Sequence, residues 1–92
     1  MQALVEGYKR VVEWNKKANS KNEKVFTDAW WDQLQLQSTL IEEEGIETAE
    51  SAALKEQVNI LKESLDVAIV LFKQLDILAE AGYDVEGALE AV

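Results

Sequence analysis

The sequence predicts a single all-α domain, a four-helix bundle-type fold that spans residues 1–92. A chain of 92 residues has the size of one small domain. It contains no proline and only four glycines, so few residues interrupt helices. Apolar residues also recur three or four positions apart along most of the chain, which is the spacing of one helix face.

The composition excludes several classes of protein. There is no cysteine and no histidine, which excludes disulfides, thiol nucleophiles, zinc fingers and imidazole acid–base chemistry. The net charge of −9 argues against a nucleic acid polymer as a partner. No apolar run approaches about 20 residues, and the N-terminus lacks the pattern of a signal peptide. We therefore expect a soluble, cytoplasmic protein with no membrane partner.

The first helix is expected from Ala3 to about Lys17. Its apolar residues form one helical stripe: Leu4, Val5, Tyr8, Val11, Val12 and Trp14. The next residues, 18–24, are small and polar and predict a loop.

The second helix is expected to begin after a cap at Thr27 or Asp28 and to run to about Glu50. Gly45 within it is tolerated, at a cost of about 1 kcal/mol relative to alanine. A short break is predicted near Ser51–Ala53.

The third helix is expected over residues 54–81, with Gly82 ending it. Its apolar residues alternate spacings of four and three in a coiled-coil-like seam: Leu54, Val58, Leu61, Leu65, Ala68, Phe72, Leu75 and Ala79. Asp84 then caps a short last helix from Val85 to at least Val92.

The length and the apolar surface of the third helix predict a homo-oligomer. At 1.5 Å per residue the helix would be roughly 42 Å long, whereas a compact chain of this size has a diameter near 30 Å. Every residue of Leu65–Phe72 except Asp66 is hydrophobic, so the helix needs neighbours on all sides. We expect this helix to form the interface of a homodimer or homotetramer.

Carboxylates on the second and third helices predict a metal site. Asp66 lies within the apolar octet, and Glu63 is close enough along the helix to share one space with it. On the second helix Glu43, Glu44 and Glu47 repeat this arrangement. Two antiparallel helices would bring these oxygens together, and hard divalent cations such as Mg²⁺ prefer carboxylate ligands. The alternative is that Glu42–Glu44 is a solvated charge run and that Asp66 pairs with Lys62 or Lys73.

These residues resemble a known family. Leu40–Glu47 (LIEEEGIE) followed by Glu63–Val67 (ESLDV) is similar to the MazG-type all-α nucleoside triphosphate pyrophosphatases. That family carries E-E-x-x-E on one helix and E-x-x-D on the next, and here fifteen residues separate the two motifs. Ala81–Glu86 (AGYDVE) also resembles the acidic turn before the family's last helix.

The resemblance covers roughly residues 34–92. Family members usually continue beyond the last helix with an Asn and a Lys that reach the phosphates, whereas this sequence ends at Val92. The three consecutive glutamates leave the register open by one residue, and only the set Glu43, Glu44 and Glu47 preserves the full pattern.

The resemblance implies a nucleoside triphosphate substrate, cleaved between the α and β phosphates to a monophosphate and pyrophosphate. It implies Mg²⁺, with Mn²⁺ as an alternative, held by four ligands: Glu44, Glu47, Glu63 and Asp66. Glu43 would be a further ligand or the catalytic group that orients and deprotonates water. Such activity would serve the removal of aberrant nucleotides or the control of a nucleotide pool.

Weaker candidates for substrate contacts are Gln37, Lys73, Trp14 and Trp30. The alternatives are that Lys73 extends to solvent and that the tryptophans lie in the core or an interface. The competing functional class is a non-catalytic helical dimerisation module of the same fold. Asp66 separates the two classes, because a pure interaction module has no need of carboxylates within its apolar helix.

Overall fold

The computed structural model describes residues 2–18 and 22–92, and these contain four α-helices and no strand. The helices are α1 (Gln2–Lys17), α2 (Asp28–Ala53), α3 (Asn59–Glu80) and α4 (Val85–Ala91). The predicted all-α class is therefore confirmed. Within the described ranges no helix is long and apolar enough to cross a membrane.

The helix α3 lies at the centre of the molecule, because it contacts each of the other three helices. The apolar core is small: Val5, Tyr8, Trp30, Ile77 and Val85 are its buried side chains. Tyr8 of α1 lies against Phe72 of α3, with 6.3 Å between ring centroids. The apolar stripe predicted for the first helix thus has its partner in the second half of α3.

The start of α2 is tied to the chain before it. The backbone N–H of Trp30 donates to the hydroxyl of Thr27 at 3.3 Å, so Thr27 is the N-cap. The side-chain amide of Gln33 donates to Asn22 at 3.0 Å and accepts from the backbone N–H of Glu23 at 2.9 Å. Residues 22–24 are non-helical, as the predicted loop requires, while residues 19–21 lie outside the described residues.

The break between the second and third helices lies later than predicted. The helix α2 continues to Ala53 and α3 begins only at Asn59, so residues 54–58 form the connection. Lys55 has a φ of 57° in the left-handed region. Two hydrogen bonds close this turn, from the N–H of Lys55 to the carbonyl of Ala52 and from the N–H of Glu56 to that of Ser51. A lysine occupies the position where glycine usually marks a helix end, and the sequence therefore gives no stop signal here.

The end of α3 agrees with the sequence prediction. Gly82 has a φ of +99°, a conformation that glycine adopts without steric cost. The N–H of Gly82 donates to the carbonyl of Ala79 at 3.1 Å, and the N–H of Tyr83 donates to that of Leu78 at 3.4 Å. This pair of bonds is the Schellman closure of a helix.

The helices α2 and α3 run antiparallel, which decides which side chains meet between them. The amide of Gln37 donates to the carbonyl of Val70 at 2.7 Å, and the hydroxyl of Ser38 donates to Gln74 at 3.0 Å. Glu44, seven residues after Gln37 on α2, meets Glu63, seven residues before Val70 on α3, as antiparallel helices require. The carboxylates of the two acidic motifs consequently face one another nearer the connection.

The molecule is more elongated than a compact chain of its length. Its radius of gyration is 14.3 Å and its extents are 41 × 31 × 25 Å, whereas a compact domain of this size has a radius near 12 Å. The longest helix is α2, whose 26 residues span about 39 Å, while the 22 residues of α3 span about 33 Å. The third helix is thus shorter than the roughly 42 Å expected from its seam.

The cap of α4 generates a stability prediction. The Asp84 carboxylate accepts from the N–H of Gly87 at 3.0 Å, and a Cβ on Gly87 would overlap that carboxylate. Gly87→Ala gains about 1 kcal/mol of helix propensity but loses about 1 kcal/mol of capping, so we expect little net change. In an Asp84→Ala background the same substitution should stabilise by about 1 kcal/mol. Urea unfolding of the four variants measures this coupling, and an equal gain in both backgrounds would contradict it.

Candidate metal centre

Three carboxylates meet between α2 and α3. Glu44 comes from α2, and Glu63 and Asp66 lie one turn apart on α3. Each offers one carboxylate oxygen, and these three oxygens all lie within 4.8 Å of one another. We call these residues the carboxylate triad. The antiparallel pairing of the two helices unites one residue of the first acidic motif with both acidic residues of the second.

The triad is partly withdrawn from water. All three residues are half-buried, and only 12 % of the Glu63 side chain is exposed. One oxygen of Glu44 and one of Glu63, both Oε2, are buried and have no hydrogen-bond partner. Burying an unpaired carboxylate oxygen is unfavourable unless a cation or donor meets it. Unpartnered oxygens at this spacing fit a hard divalent cation, which binds carboxylate oxygens at about 2.0–2.6 Å.

Lys62 provides positive charge at the edge of the triad. Its Nζ lies 3.2 Å from Oδ2 of Asp66 and 3.6 Å from Oε1 of Glu63, and 66 % of its side chain is exposed. The hydrogen bond to Asp66, with the charges of Asp66 and Glu63, raises the pKa of Lys62 above its usual value. Lys62 is protonated at neutral pH like any exposed lysine, and its raised pKa means that the pair persists to a higher pH than the charge of an unpaired lysine. The pairing of Asp66 with Lys62, one alternative from the sequence, is present beside the triad.

The remaining residues of the first acidic motif lie outside the triad. Glu47, a ligand implied by the family resemblance, is exposed on α2, and so is Glu43, the implied catalytic residue. Glu42 is likewise exposed. Among the three consecutive glutamates, Glu44 alone is half-buried, and this selects it as the residue of that run that faces α3.

The weaker candidates for substrate contacts are dispersed. Gln37 uses its amide to bind the backbone of α3. Lys73 places its Nζ 5.0 Å from the ring centroid of Trp14, which is a cation–π contact between α3 and α1. Trp30 is only 1 % exposed and belongs to the core, whereas Trp14 and Trp31 are exposed.

One contact surface was not foreseen in the sequence. Trp14 shares an open apolar groove with Arg10, Val11 and Ile69, between α1 and α3. The spacing of Trp14 on the first helix predicted a side chain that faces the bundle. Its ring instead stays accessible beside Lys73, and no local sequence signal indicates this. The groove depends on how far apart α1 and α3 pack.

Comparisons of the chain with protein families, with curated proteins and with solved structures found no match. The resemblance to the MazG-type enzymes therefore depends on the sequence motifs alone.

The triad generates a stability prediction in the absence of metal. Glu63→Gln removes one of three like charges and offers Glu44 an amide donor. We expect the variant to be more stable than the wild type in chelator by about 1 kcal/mol, which is the cost of one unsatisfied buried polar group. Thermal unfolding with EDTA measures this, with Glu42→Gln as an exposed control of the same charge change. A destabilised Glu63→Gln would show that the carboxylate is already well accommodated without a cation.

Proposed function

We propose that the protein is a Mg²⁺-dependent nucleoside triphosphate pyrophosphohydrolase. The observation that carries the proposal is the carboxylate triad: Glu44, Glu63 and Asp66 are three of the four ligands implied by the family resemblance, and they lie within 4.8 Å of one another. They come from two motifs that are far apart in the sequence. The unpartnered Oε2 atoms of Glu44 and Glu63 support a bound cation as the reason for this arrangement.

In this proposal the triad holds the cation, with Glu47 as the fourth ligand. Glu47 lies three residues after Glu44, and residues at that spacing are neighbours on a helix surface. The Mg²⁺ ion, or Mn²⁺ in its place, supplies charge neutralisation for the phosphates and lowers the pKa of water. The protein contributes the fixed positions of the carboxylates on two rigid helices.

The proposed reaction adds water to the α-phosphorus of the nucleotide. The bond between that phosphorus and the α–β bridging oxygen breaks, and the bridging oxygen leaves with pyrophosphate while a nucleoside monophosphate remains. Glu43, the residue that the family resemblance implies for this role, would accept the proton of the attacking water; it is an exposed carboxylate, and the chain contains no histidine.

Substrate contacts beyond the phosphates are assigned to the more accessible candidates. Trp14 offers an exposed ring for stacking and lies beside Lys73. Trp30 has no accessible face for a nucleobase. Gln37 would reach a substrate only by giving up its bond to α3.

The first test is hydrolysis of a panel of nucleoside triphosphates, with Mg²⁺ and with chelator, in which pyrophosphate and monophosphate are both measured. We expect metal-dependent release of both products. Asp66→Asn should lower kcat/KM at least about 100-fold, because a ligand of the phosphate-neutralising cation is lost. Glu42→Gln, with the same charge change at an exposed position, should retain activity. Full activity of Asp66→Asn would contradict the assigned role.

A second part of the proposal is self-association through α3. Thirteen large apolar residues are exposed among the described residues, against five that are buried, which is an unusual balance for a monomer. Four of them form a line that we call the α3 apolar stripe: Val58 (84 % exposed), Leu61 (63 %), Leu65 (55 %) and Ile69 (42 %). We propose a homodimer or homotetramer in which a second copy covers this stripe.

The same stripe supports the competing function, a helical dimerisation module without catalysis. The observation that favours this function is the exposed α3 apolar stripe. A second copy would cover the stripe whether or not the triad binds a cation. The hydrolysis panel separates the two proposals, because a pure interaction module forms the oligomer and releases no pyrophosphate.

Self-association can be tested by substitution in the stripe. The double variant Leu61→Gln, Leu65→Gln should lower the association constant at least about tenfold, since it removes apolar contacts worth more than about 1.4 kcal/mol. Light scattering coupled to size exclusion at micromolar concentration measures the mass of each species. Tyr83→Gln is the control, an exposed apolar residue outside the stripe. A monomeric wild type would contradict the proposed interface.

A further inference from the structure

The ammonium group of Lys62 lies where it would compete with a bound cation for the same carboxylates. Its Nζ contacts Asp66 at 3.2 Å and Glu63 at 3.6 Å, which are both of the α3 members of the triad. These contacts use Oδ2 of Asp66 and Oε1 of Glu63. The buried Oε2 atoms of Glu63 and Glu44 stay without a partner.

One ammonium group therefore contacts two of the three carboxylates, and Glu44 receives no contact from it. It lowers the repulsion between Glu63 and Asp66, but it leaves the buried side of the triad uncompensated. A divalent cation among the three oxygens would supply twice the charge and would lie only a few ångströms from Nζ. The two cations would repel each other at that distance, which would weaken the contacts of Nζ with Glu63 and Asp66.

Lys62 can break its contacts with the triad at little cost. Two thirds of its side chain is exposed, so the ammonium can turn into water without losing a buried environment. Ion pairs of exposed side chains contribute little to stability, and the flexible lysine stem gains conformational freedom when the pair opens. Lys73, on the same helix, differs because its Nζ lies over the ring of Trp14 rather than on a carboxylate.

We propose that Lys62 is a tethered cation that occupies the edge of the triad in the metal-free protein and is displaced when a divalent cation binds, so that it sets the affinity of the site. This inference rests on the proposed metal site. It makes Lys62 a regulatory residue rather than a ligand or a catalytic residue. Its effect is to lower the repulsion between Glu63 and Asp66 without metal and to weaken the binding of metal by the triad.

The test is a calorimetric titration of the full chain with Mg²⁺ and with Mn²⁺ in the absence of nucleotide. Lys62→Met removes the charge and keeps an unbranched side chain, and it should lower the Kd for the cation about three- to tenfold. Lys62→Arg keeps the charge and should stay within about twofold of the wild type. The matched control is Lys73→Met, which has the same charge change on the same helix and should leave the Kd within about twofold of the wild type.

A second readout is thermal unfolding. In chelator, Lys62→Met should unfold at a slightly lower temperature than the wild type, because the triad has lost its only contact with an ammonium among the described ion pairs. Saturating Mg²⁺ should abolish that difference. A merely structural surface pair would lower the unfolding temperature equally with and without the cation.

The outcomes separate this inference from the proposed function. Equal Kd values for Lys62→Met and Lys73→Met, with a wild type that binds the cation, would overturn the role of Lys62 alone. Weaker binding by Lys62→Met would overturn it too, since the lysine would then be orienting the ligands. A wild type that binds neither ion at millimolar concentration would overturn the metal site and this inference together.

Discussion

The structure depends on a conflict between packing and charge along the α2–α3 pair. Antiparallel packing, fixed by the bonds from Gln37 and Ser38 to α3, brings Glu44 against Glu63 and Asp66. Three like charges at that spacing oppose the packing that creates them. Lys62 relieves part of the repulsion from the solvent side, and the buried oxygens stay unpaired. The proposed divalent cation would neutralise these charges, so the proposed function and the stability of this helix pair would depend on the same residues.

A second constraint is the shortage of buried apolar surface. Tyr8, Phe72, Ile77 and Val85 unite α1, α3 and α4 at one end of α3. The other end of α3, from Val58 to Ile69, presents apolar side chains to solvent. The triad lies in this same half of α3. Self-association through the stripe would therefore surround the site with a second copy and would lower its exposure to water.

Much of this arrangement could be predicted from the sequence, because helical periodicity and caps are local signals. Thr27, Gly82 and Asp84 mark helix ends with the chemistry that such positions need. The end of α2 lies three residues after the predicted one, at Ala53 rather than Glu50, because Lys55 takes the left-handed conformation without a glycine to mark it. The spacing of Glu63 and Asp66 indicated that they share one space. The sequence could not show that Glu44, rather than Glu43 or Glu47, faces them, because this depends on the rotation of α2 against α3.

The central claim is that Glu44, Glu63 and Asp66 hold one divalent cation. The most direct measurement is anomalous diffraction from crystals of the protein grown with Mn²⁺, with a matched crystal grown with chelator. If these carboxylates hold the cation, we expect a single strong anomalous peak among them, about 2.1 Å from an oxygen of each, with the ammonium of Lys62 turned away. A map with no peak between α2 and α3 at millimolar Mn²⁺, and with Lys62 still in contact with Asp66, would contradict it.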